Sequence, residues 1–278
     1  MIAVQTDIRK LTLDQIKEYL VESGEKAFRA KQIYSWLWQK GAISFEEMTN
    51  LSLDFRAKLN DSYAILGMTI ANSQKSTDGT IKYAFRLNDG FLVEGVLIPT
   101  SERVTACISS QVGCSLSCTF CATGTLKLNR NLTHGEIFDQ VFKLNQESEK
   151  NYGRSLTNIV FMGMGEPLLN YNALLQAIHN ITSTTGMAIS SRRITVSTAG
   201  LSKQIMKLAD DEVKFNLAIS LHSAEDEIRS ELMPLNDSIN LAKLKESIRY
   251  FYEKTNNRVT YEYILFKGIN DDLDAARK

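Results

Sequence analysis

The sequence predicts an α/β protein whose larger part is a parallel sheet covered by helices. β-rich segments at 104–110, 156–163, 192–198, 214–221 and 258–266 alternate with segments of helical periodicity. Repeated β–α units of this kind imply parallel strands joined by right-handed crossovers. In such sheets, ligands bind in the loops that follow the carboxyl ends of the strands.

Two smaller regions precede this alternation. Capping-box patterns mark the predicted helix starts Thr12–Gln15, Ser44–Glu47 and Thr133–Glu136. The turn signals TDGT and NDG separate β-rich runs, which predicts an antiparallel hairpin region. We therefore expect a helical accessory domain at 1–64, an antiparallel β extension at 65–99 and a core at 100–278.

The composition is that of an ordinary soluble protein, with 44% hydrophobic residues, 23% charged residues and a formal net charge of +0 over 278 residues. No segment approaches the roughly 20 continuous apolar residues that span a bilayer. The start of the chain lacks the layout of a secretory signal, so we expect a cytoplasmic protein without membrane contact. Zero net charge argues against binding to nucleic acid by bulk electrostatics alone.

All four cysteines lie in one short stretch, at positions 107, 114, 118 and 121. Such clustering indicates a metal or redox chemistry, whereas a secreted disulfide framework spreads its cysteines along the chain. Cys114, Cys118 and Cys121 follow a predicted strand and fit within one compact loop. A [4Fe–4S] cube held at three corners leaves one iron open for an external ligand. The alternative is a zinc site completed by Cys107, because structural zinc takes four protein ligands.

Polar motifs follow the next three predicted strands. The segment 161–167, FMGMGEP, has glycines that let a ligand approach the backbone, and its Glu166 can accept a bond from an ammonium group. Ser197 ends the third strand and Ser220–His222 ends the fourth, where a ligand of such a sheet binds. From the residues alone, the first motif is equally a turn and the others are equally ordinary strand ends.

The cysteine spacing, with Phe120 before the last cysteine, resembles the signature of the radical S-adenosylmethionine superfamily. The resemblance implies an open iron that chelates the amino and carboxylate groups of S-adenosylmethionine. One electron then breaks the S–C5′ bond and leaves methionine and a 5′-deoxyadenosyl radical. The cofactor supplies this difficult step, and the protein orients and shields it.

Four segments limit the resemblance to one family within this superfamily: TACISSQVGCSLSCTFCATG, FMGMGEPLLN, SLHSAEDEIRSELMPLN and VTYEYILFKGIND. In this order they resemble the bacterial dual-specificity 23S rRNA/tRNA adenine-C2 methyltransferases. The implied fold is a partial, TIM-like (β/α)6 barrel with an N-terminal accessory domain that helps engage RNA. The residues implied for binding S-adenosylmethionine are Gly165, Glu166, Ser197, Ser220, Leu221 and His222.

The same resemblance assigns catalytic roles to two more residues. In the family, a cysteine near the C-terminus carries the methyl group that becomes a methylene radical and adds to C2. Cys107 matches the cysteine that resolves the adduct by forming a disulfide with the carrier, and Glu94 matches the proton acceptor. From the residues alone, the alternative for Cys107 is a small buried hydrophobe in a strand. For Glu94, the sequence alone favours a solvated strand residue.

The end of the sequence departs from the family pattern. It stops in NDDLDAARK after the fifth predicted strand, which predicts a barrel that is incomplete at the C-terminus. No cysteine follows Cys121, so the methyl-carrying cysteine is absent from these residues. We therefore expect these 278 residues to bind a cluster without completing methyl transfer.

The expected partners are 23S rRNA, tRNA and an electron donor such as a flavodoxin, and the expected state is a monomer. The target adenine has to leave its stack to reach the mouth of the barrel. Lys127, Arg130, Arg192 and Arg193 are candidates for phosphate contacts near that mouth. Scattered charges of this kind are usually a solvated surface, which is the alternative.

The sequence leaves three other functions open. An adenine-C8 methyltransferase relative, which confers ribosomal antibiotic resistance, has similar motifs and differs in its product. A non-catalytic truncated fragment that binds RNA or zinc would release no 5′-deoxyadenosine. An enzyme that places a glycyl radical on a partner protein shares the cluster loop, but no other feature of the sequence supports it.

Overall fold

The computed structural model describes residues 5–278. The strands are β1 (Thr6–Asp7), β2 (Tyr63–Ala64), β3 (Thr69–Lys75), β4 (Ile81–Arg86), β5 (Leu92–Pro99), β6 (Val104–Cys107), β7 (Gln111–Val112), β8 (Arg130–Asn131), β9 (Asn158–Phe161), β10 (Ile194–Thr198), β11 (Asn216–Ser220) and β12 (Val259–Glu262). The α-helices are α1 (Leu13–Glu22), α2 (Arg29–Trp38), α3 (Leu53–Ser62), α4 (His134–Tyr152), α5 (Tyr171–Thr182), α6 (Ser202–Asp210), α7 (Asp226–Leu232), α8 (Leu241–Thr255) and α9 (Leu273–Arg277). Within residues 5–278, none of the helices combines the length and apolar character that crossing a bilayer requires.

Eight strands form one mixed sheet in the order β12-β11-β10-β9-β6-β5-β4-β3. The strands from β6 to β12 in this order are parallel, as the sequence predicts. The antiparallel strands β3, β4 and β5 continue the same sheet, because β5 pairs with β6 through partners such as Val96 and Cys107. The predicted β extension is therefore one flank of the main sheet.

The five parallel strands are shorter than the segments predicted for them. The first ends at Cys107, whereas the β-rich pattern runs to position 110. The Gln140 side chain of α4 explains this end, because its Oε1 accepts from the Ser109 N–H at 2.9 Å and its Nε2 donates to the Ser109 carbonyl at 3.0 Å. The Gln140 side chain thus makes the hydrogen bonds that a neighbouring strand would otherwise make with Ser109. The backbone can therefore leave the sheet and turn toward the cysteine loop.

Two of the three predicted capping boxes are confirmed. Thr12 and Thr133 each accept the backbone N–H three residues on, and the partner side chain returns the bond. The third prediction is wrong, because Ser44 precedes only a three-residue 3₁₀ turn that ends at Glu47. Its hydroxyl caps no helix, since no α-helical turn follows it.

The N-terminal helices dock on α4 through an apolar contact and a buried ion pair. The Trp38 ring is 5.0 Å from the Phe138 ring in an edge-on arrangement. Arg9 donates to Asp139 at 2.7 Å and to Asp7 at 2.9 Å, and it also bonds the Leu66 carbonyl. Burial alone lowers the pKa of Arg9, but Asp139 and Asp7 outweigh it, so the net pKa is raised and the guanidinium stays charged.

His134, at the start of α4, makes the stability of this docking region depend on pH. Its Nε2 bonds the Arg9 carbonyl at 2.7 Å, and burial lowers its pKa below the ordinary value of 6.5. The unfolded chain therefore binds the proton more readily than the folded chain. The stability that His134 contributes is complete above pH 6.5 and is lost as the pH falls through the depressed value.

We expect the free energy of unfolding to fall more steeply between pH 7.5 and pH 5 in the wild type than in His134→Gln. Urea denaturation at both pH values measures the difference. His179 and His222 are present in both proteins, so their contributions cancel. Equal slopes in the two proteins would show that His134 is not responsible.

Candidate active site at the carboxyl ends of the parallel strands

A cavity of about 450 Å³ lies at the carboxyl ends of the parallel strands. The loops after β6 and β9 and the ends of β10, β11 and β12 all contribute to it. Its lining includes Cys114, Cys118, Cys121, Gly165, Glu166, Ser197, Ser220, His222 and Glu262. The fold thus brings to one place side chains that are separated by more than a hundred positions in the sequence.

The three loop cysteines are free, partly buried and face this cavity. The loop can fold so tightly because a Cβ on Gly124 would lie only 2.5 Å from the Cys118 carbonyl oxygen. Gly113 has a φ of +81°, and a Cβ there would meet the Lys127 carbonyl oxygen at 2.1 Å. Glycine at both positions therefore lets the loop close around the thiols.

The thiols influence one another. Burial, together with the neighbouring Cys121 and Cys114, raises the pKa of Cys118 to about 11. Burial also raises the pKa of Cys114, with smaller contributions from Glu166 and Cys121 that act in the same direction. Partly buried thiols that raise one another's pKa values need a strong positive centre to become thiolates. An iron–sulfur cluster supplies that centre.

The donor set fits a cluster better than a zinc ion. Among residues 5–278, no group of three or more metal-binding side chains is close enough to share a single ion. A [4Fe–4S] cube takes each thiolate at a different iron, so its ligands stand further apart than those of one ion. Cys107 is absent from the cavity lining, so the geometry does not support a fourth thiol for zinc.

Glu166 is buried beside the thiols with its carboxylate held in place. Its Oε1 accepts from the Leu168 N–H at 3.0 Å and its Oε2 accepts from the Ala199 N–H at 2.8 Å. Burial raises the pKa of Glu166, while these backbone donors oppose the shift. Each oxygen keeps a second lone pair, so the carboxylate can still accept bonds from an ammonium group in the cavity.

Glu262 is a site residue that the sequence analysis missed. It ends β12, and its Oε2 accepts from Ser197 Oγ at 2.7 Å and from Ser220 Oγ at 3.2 Å. One carboxylate therefore orients the two serines that end β10 and β11. The strand-end rule that picks out both serines also applies to Glu262, so the signal was available in the sequence.

His222 presents a neutral imidazole to the cavity. Its Nδ1 accepts from the Ile264 N–H at 3.2 Å, so the ring proton is on Nε2. Burial and the nearby Arg229 lower the pKa of His222 to about 4. The ring meets Phe120 edge-on at 4.8 Å. The adjacent Leu221 does not line the cavity; its N–H bonds the Glu262 carbonyl.

Cys107 and Glu94 lie outside the cavity lining. Cys107 is the last residue of β6, and burial raises its pKa to about 11. Glu94 on β5 forms an ion pair with Lys82 at 3.0 Å, and its side chain is 51% exposed. The structure thus gives Cys107 a partly buried position and Glu94 a solvated one.

Two of the four residues predicted to contact phosphate lie away from the mouth of the barrel. Arg192 and Arg193 precede β10, so they lie at the amino end of the sheet, and their prediction is wrong. A parallel strand carries its first residues to the edge opposite the site. Arg130 is paired with Glu136 and Asp89, whereas Lys127 is exposed on the cysteine loop.

Comparison with known proteins identifies the family. Residues 6–65 match the ribosomal RNA large subunit methyltransferase N-terminal domain, and residues 108–278 match the radical SAM superfamily. A probable dual-specificity RNA methyltransferase RlmN from Flavobacterium psychrophilum is 55% identical, over 97% of this chain and 78% of its own length. This chain belongs to the RlmN family. A relative from Cytophaga hutchinsonii with the same description is 54% identical, over 98% of this chain and 74% of its own.

The RlmN-family assignment agrees with a solved structure. The crystal structure of a radical SAM methyltransferase from Sphaerobacter thermophilus matches with a TM-score of 0.91 and 40% identity. The match covers 98% of this chain and 80% of that one. The predicted α/β class with a partial TIM-like radical SAM barrel is therefore confirmed, and the chain is a radical SAM methyltransferase by family.

The close packing in the cysteine loop of this RlmN-family chain gives a direct prediction. We expect Gly124→Ala to lower the free energy of unfolding by about 1–3 kcal/mol, as overpacking usually does, and to lower the iron bound per chain. The matched control is Gly67→Ala, because a Cβ there meets only Ile43 at 3.5 Å. Urea denaturation and iron analysis after anaerobic reconstitution measure both effects. Wild-type iron content in Gly124→Ala would contradict the packing argument.

Proposed function

We propose that this chain takes part in methylating C2 of adenine in 23S rRNA and tRNA, using a [4Fe–4S] cluster, S-adenosylmethionine and a methyl-carrying cysteine that these 278 residues do not include. The observation that carries the proposal is the single cavity shared by three loop thiols and the strand-end residues Glu166, Ser197, Ser220 and His222. The RNA substrates are supported by the relatives, which are described as dual-specificity RNA methyltransferases.

Different side chains of the cavity would hold the cluster and S-adenosylmethionine. Cys114, Cys118 and Cys121 would bind three irons and leave the fourth to the amino acid part of S-adenosylmethionine. When bound, the cluster supplies the electron that breaks the S–C5′ bond. Glu166 accepts the ammonium group, and Gly165 keeps the backbone beside it open to the ligand.

Polar groups at the other strand ends face the rest of the nucleoside. Ser197 and Ser220 are oriented by Glu262, which fixes the hydroxyl that each presents to a ligand. His222 offers a neutral N–H and an apolar ring face, and Leu221 fixes the preceding backbone through its bond to the Glu262 carbonyl. Together these groups position a ligand without adding positive charge.

The chemistry of adenine explains why such a site is needed. C2 is electron-poor, so it cannot attack a methyl sulfonium as a nucleophile. A carbon radical can add to it, and the site must then shield that radical from water. A cavity closed by the cysteine loop on one side and strand ends on the other suits this requirement.

Two catalytic roles rest on the family match. Cys107 would resolve the protein–RNA adduct, and its partly buried, protonated thiol is protected from reacting early. Glu94 would accept the proton released at C2, and Lys82 holds its carboxylate on the solvated face of β5. We expect Glu94→Gln to leave 5′-deoxyadenosine release unchanged, because this proton is accepted only after the radical has added to C2.

The remaining proposals concern organisation and partners. The domain division is 1–64 for RNA engagement, 65–99 for the β extension and 100–278 for the radical core. The electron donor is a low-potential protein such as a flavodoxin. The chain acts as a monomer in the cytoplasm, where both RNA substrates occur.

Anaerobic reconstitution tests the cluster and the cleavage step. The protein is loaded with iron and sulfide, reduced with dithionite and mixed with S-adenosylmethionine, and 5′-deoxyadenosine is measured by chromatography. We expect a visible absorption shoulder, about four irons per chain and release of 5′-deoxyadenosine. Stoichiometric zinc without iron or sulfide would overturn the proposal.

Deletion of the gene tests the substrate and the position of methylation. We expect 2-methyladenosine to disappear from 23S rRNA and tRNA in the deletion strain and to return on complementation. Loss of 8-methyladenosine instead would support the C8 relative. Unchanged nucleoside profiles in both RNAs would overturn the assignment of the substrate.

A further inference from the structure

A buried arginine lies directly behind the candidate active site. Arg229 on α7 is 1% exposed, yet among residues 5–278 it forms no salt bridge. Its Nη2 donates to the Ala199 carbonyl at 2.7 Å, its Nε to the Leu221 carbonyl at 3.2 Å and its Nη1 to Asn236 Oδ1 at 2.7 Å. All these acceptors are neutral, so the guanidinium is hydrogen-bonded but not neutralised.

The acidic side chain one helical turn before Arg229 is engaged elsewhere. Asp226 Oδ1 accepts from Asn236 Nδ2 at 2.9 Å and from the Leu241 N–H at 2.8 Å. Arg9, the other fully buried arginine, differs from Arg229 in this respect, because two carboxylates contact its guanidinium. A buried cation without an anion is costly, so Arg229 needs a negative partner that the protein side chains do not provide.

Helix α7 is fastened to the cysteine loop. The Thr119 N–H donates to the Leu232 carbonyl at 3.0 Å, and Thr119 Oγ1 lies 3.3 Å from the same oxygen. Leu232 and Met233 also form an apolar cluster against which Cys118 and Phe120 pack. The helix that carries Arg229 is thus held against the middle cysteine and the two residues that follow it.

Arg229 also reaches the wall of the cavity, because its Nη2 bonds the carbonyl of Ala199, which lines the cavity together with Cys118. Burial lowers the pKa of Arg229, whereas Asp226 and the Cys118 thiolate favour its charged form. Thr119, which separates Cys118 from Phe120, carries the bonds to α7, so the loop cannot move away from the helix without breaking them. A negative cluster held by Cys118 would therefore lie across the cavity wall that Arg229 bonds from behind.

We propose that Arg229 is the buried counter-charge of the [4Fe–4S] cluster and makes its one-electron reduction easier. The inference rests on the proposed function, because it requires the cluster. Reduction takes one electron from an external low-potential donor, makes the thiolate-bound cluster one unit more negative and changes no covalent bond. A fixed positive charge in a low-dielectric setting stabilises the more negative form, so it raises the midpoint potential.

The test compares midpoint potentials of reconstituted protein by dithionite titration, with the electron paramagnetic resonance of the reduced cluster as the signal. We expect R229Q to have a more negative potential than the wild type and R229K to stay near it. The matched control is R154Q, because Arg154 also donates only to carbonyls, those of Thr100 and Ser101, far from the cysteine loop. Its potential is expected to be unchanged.

A second variant neutralises the guanidinium without removing it. N236D places a carboxylate on the atom that already contacts Arg229 Nη1, so we expect a negative shift here too. N236D decides the question if R229Q does not fold. An intact cluster with an unshifted potential in these variants would overturn the inference, whereas failure of the wild type to assemble a cluster would overturn the proposed function instead.

Discussion

Substitution of Cys118 by serine is expected to abolish cluster assembly and, with it, the release of 5′-deoxyadenosine. Cys118 is the middle of the three thiols, and its loss leaves two, which cannot hold a cube at three corners. The expected iron and sulfide contents after reconstitution are near zero. Circular dichroism should show an unchanged fold, because serine is smaller than cysteine and Cys118 is only partly buried.

Cys107→Ser is the matched control for this experiment. Cys107 lies at the end of β6 and outside the cavity lining, so its loss is expected to leave the iron content and 5′-deoxyadenosine release intact. Loss of metal from Cys107→Ser would instead show that four cysteines share one centre, which is the zinc alternative.

The strand-end rule explains why much of the site could be predicted from the sequence. Cys114, Glu166 and Ser197 each follow a β-rich segment, and parallel strands bring such positions to one edge of the sheet. The rule depends only on the order of elements, and not on the details of packing. The same rule, applied to Arg192 and Arg193, shows why they lie at the opposite edge.

The role proposed for Arg229 could not be predicted from the sequence, because it depends on the residues that surround the guanidinium in the fold. In the sequence it is one of several charged residues on a short helix, a pattern typical of a solvated surface. Only tertiary packing shows that it is buried and lacks a carboxylate partner. The continuity of β5 with β6 was missed for a similar reason, since hairpin signals specify local pairing and not the neighbour across the sheet.

The largest expected effect on stability comes from the Arg9 ion pair. Arg9→Met leaves Asp7 and Asp139 buried and without their cation, and breaking a buried pair in this way typically costs about 3–5 kcal/mol. We expect the free energy of unfolding, measured by urea denaturation at pH 7.5, to fall by this amount. The matched control is Lys17→Met, which removes the exposed pair with Asp14 and should cost at most about 1 kcal/mol.

A double variant separates the lost pair from the unpaired charges that it leaves behind. In Arg9→Met, burial raises the pKa of Asp139 and the opposing attraction of Arg9 is gone, so this carboxylate is the main source of the cost. Adding Asp139→Asn removes that charge, and we expect it to restore part of the lost stability. If the second change lowers stability further, the unpaired charge of Asp139 is not the source of the cost.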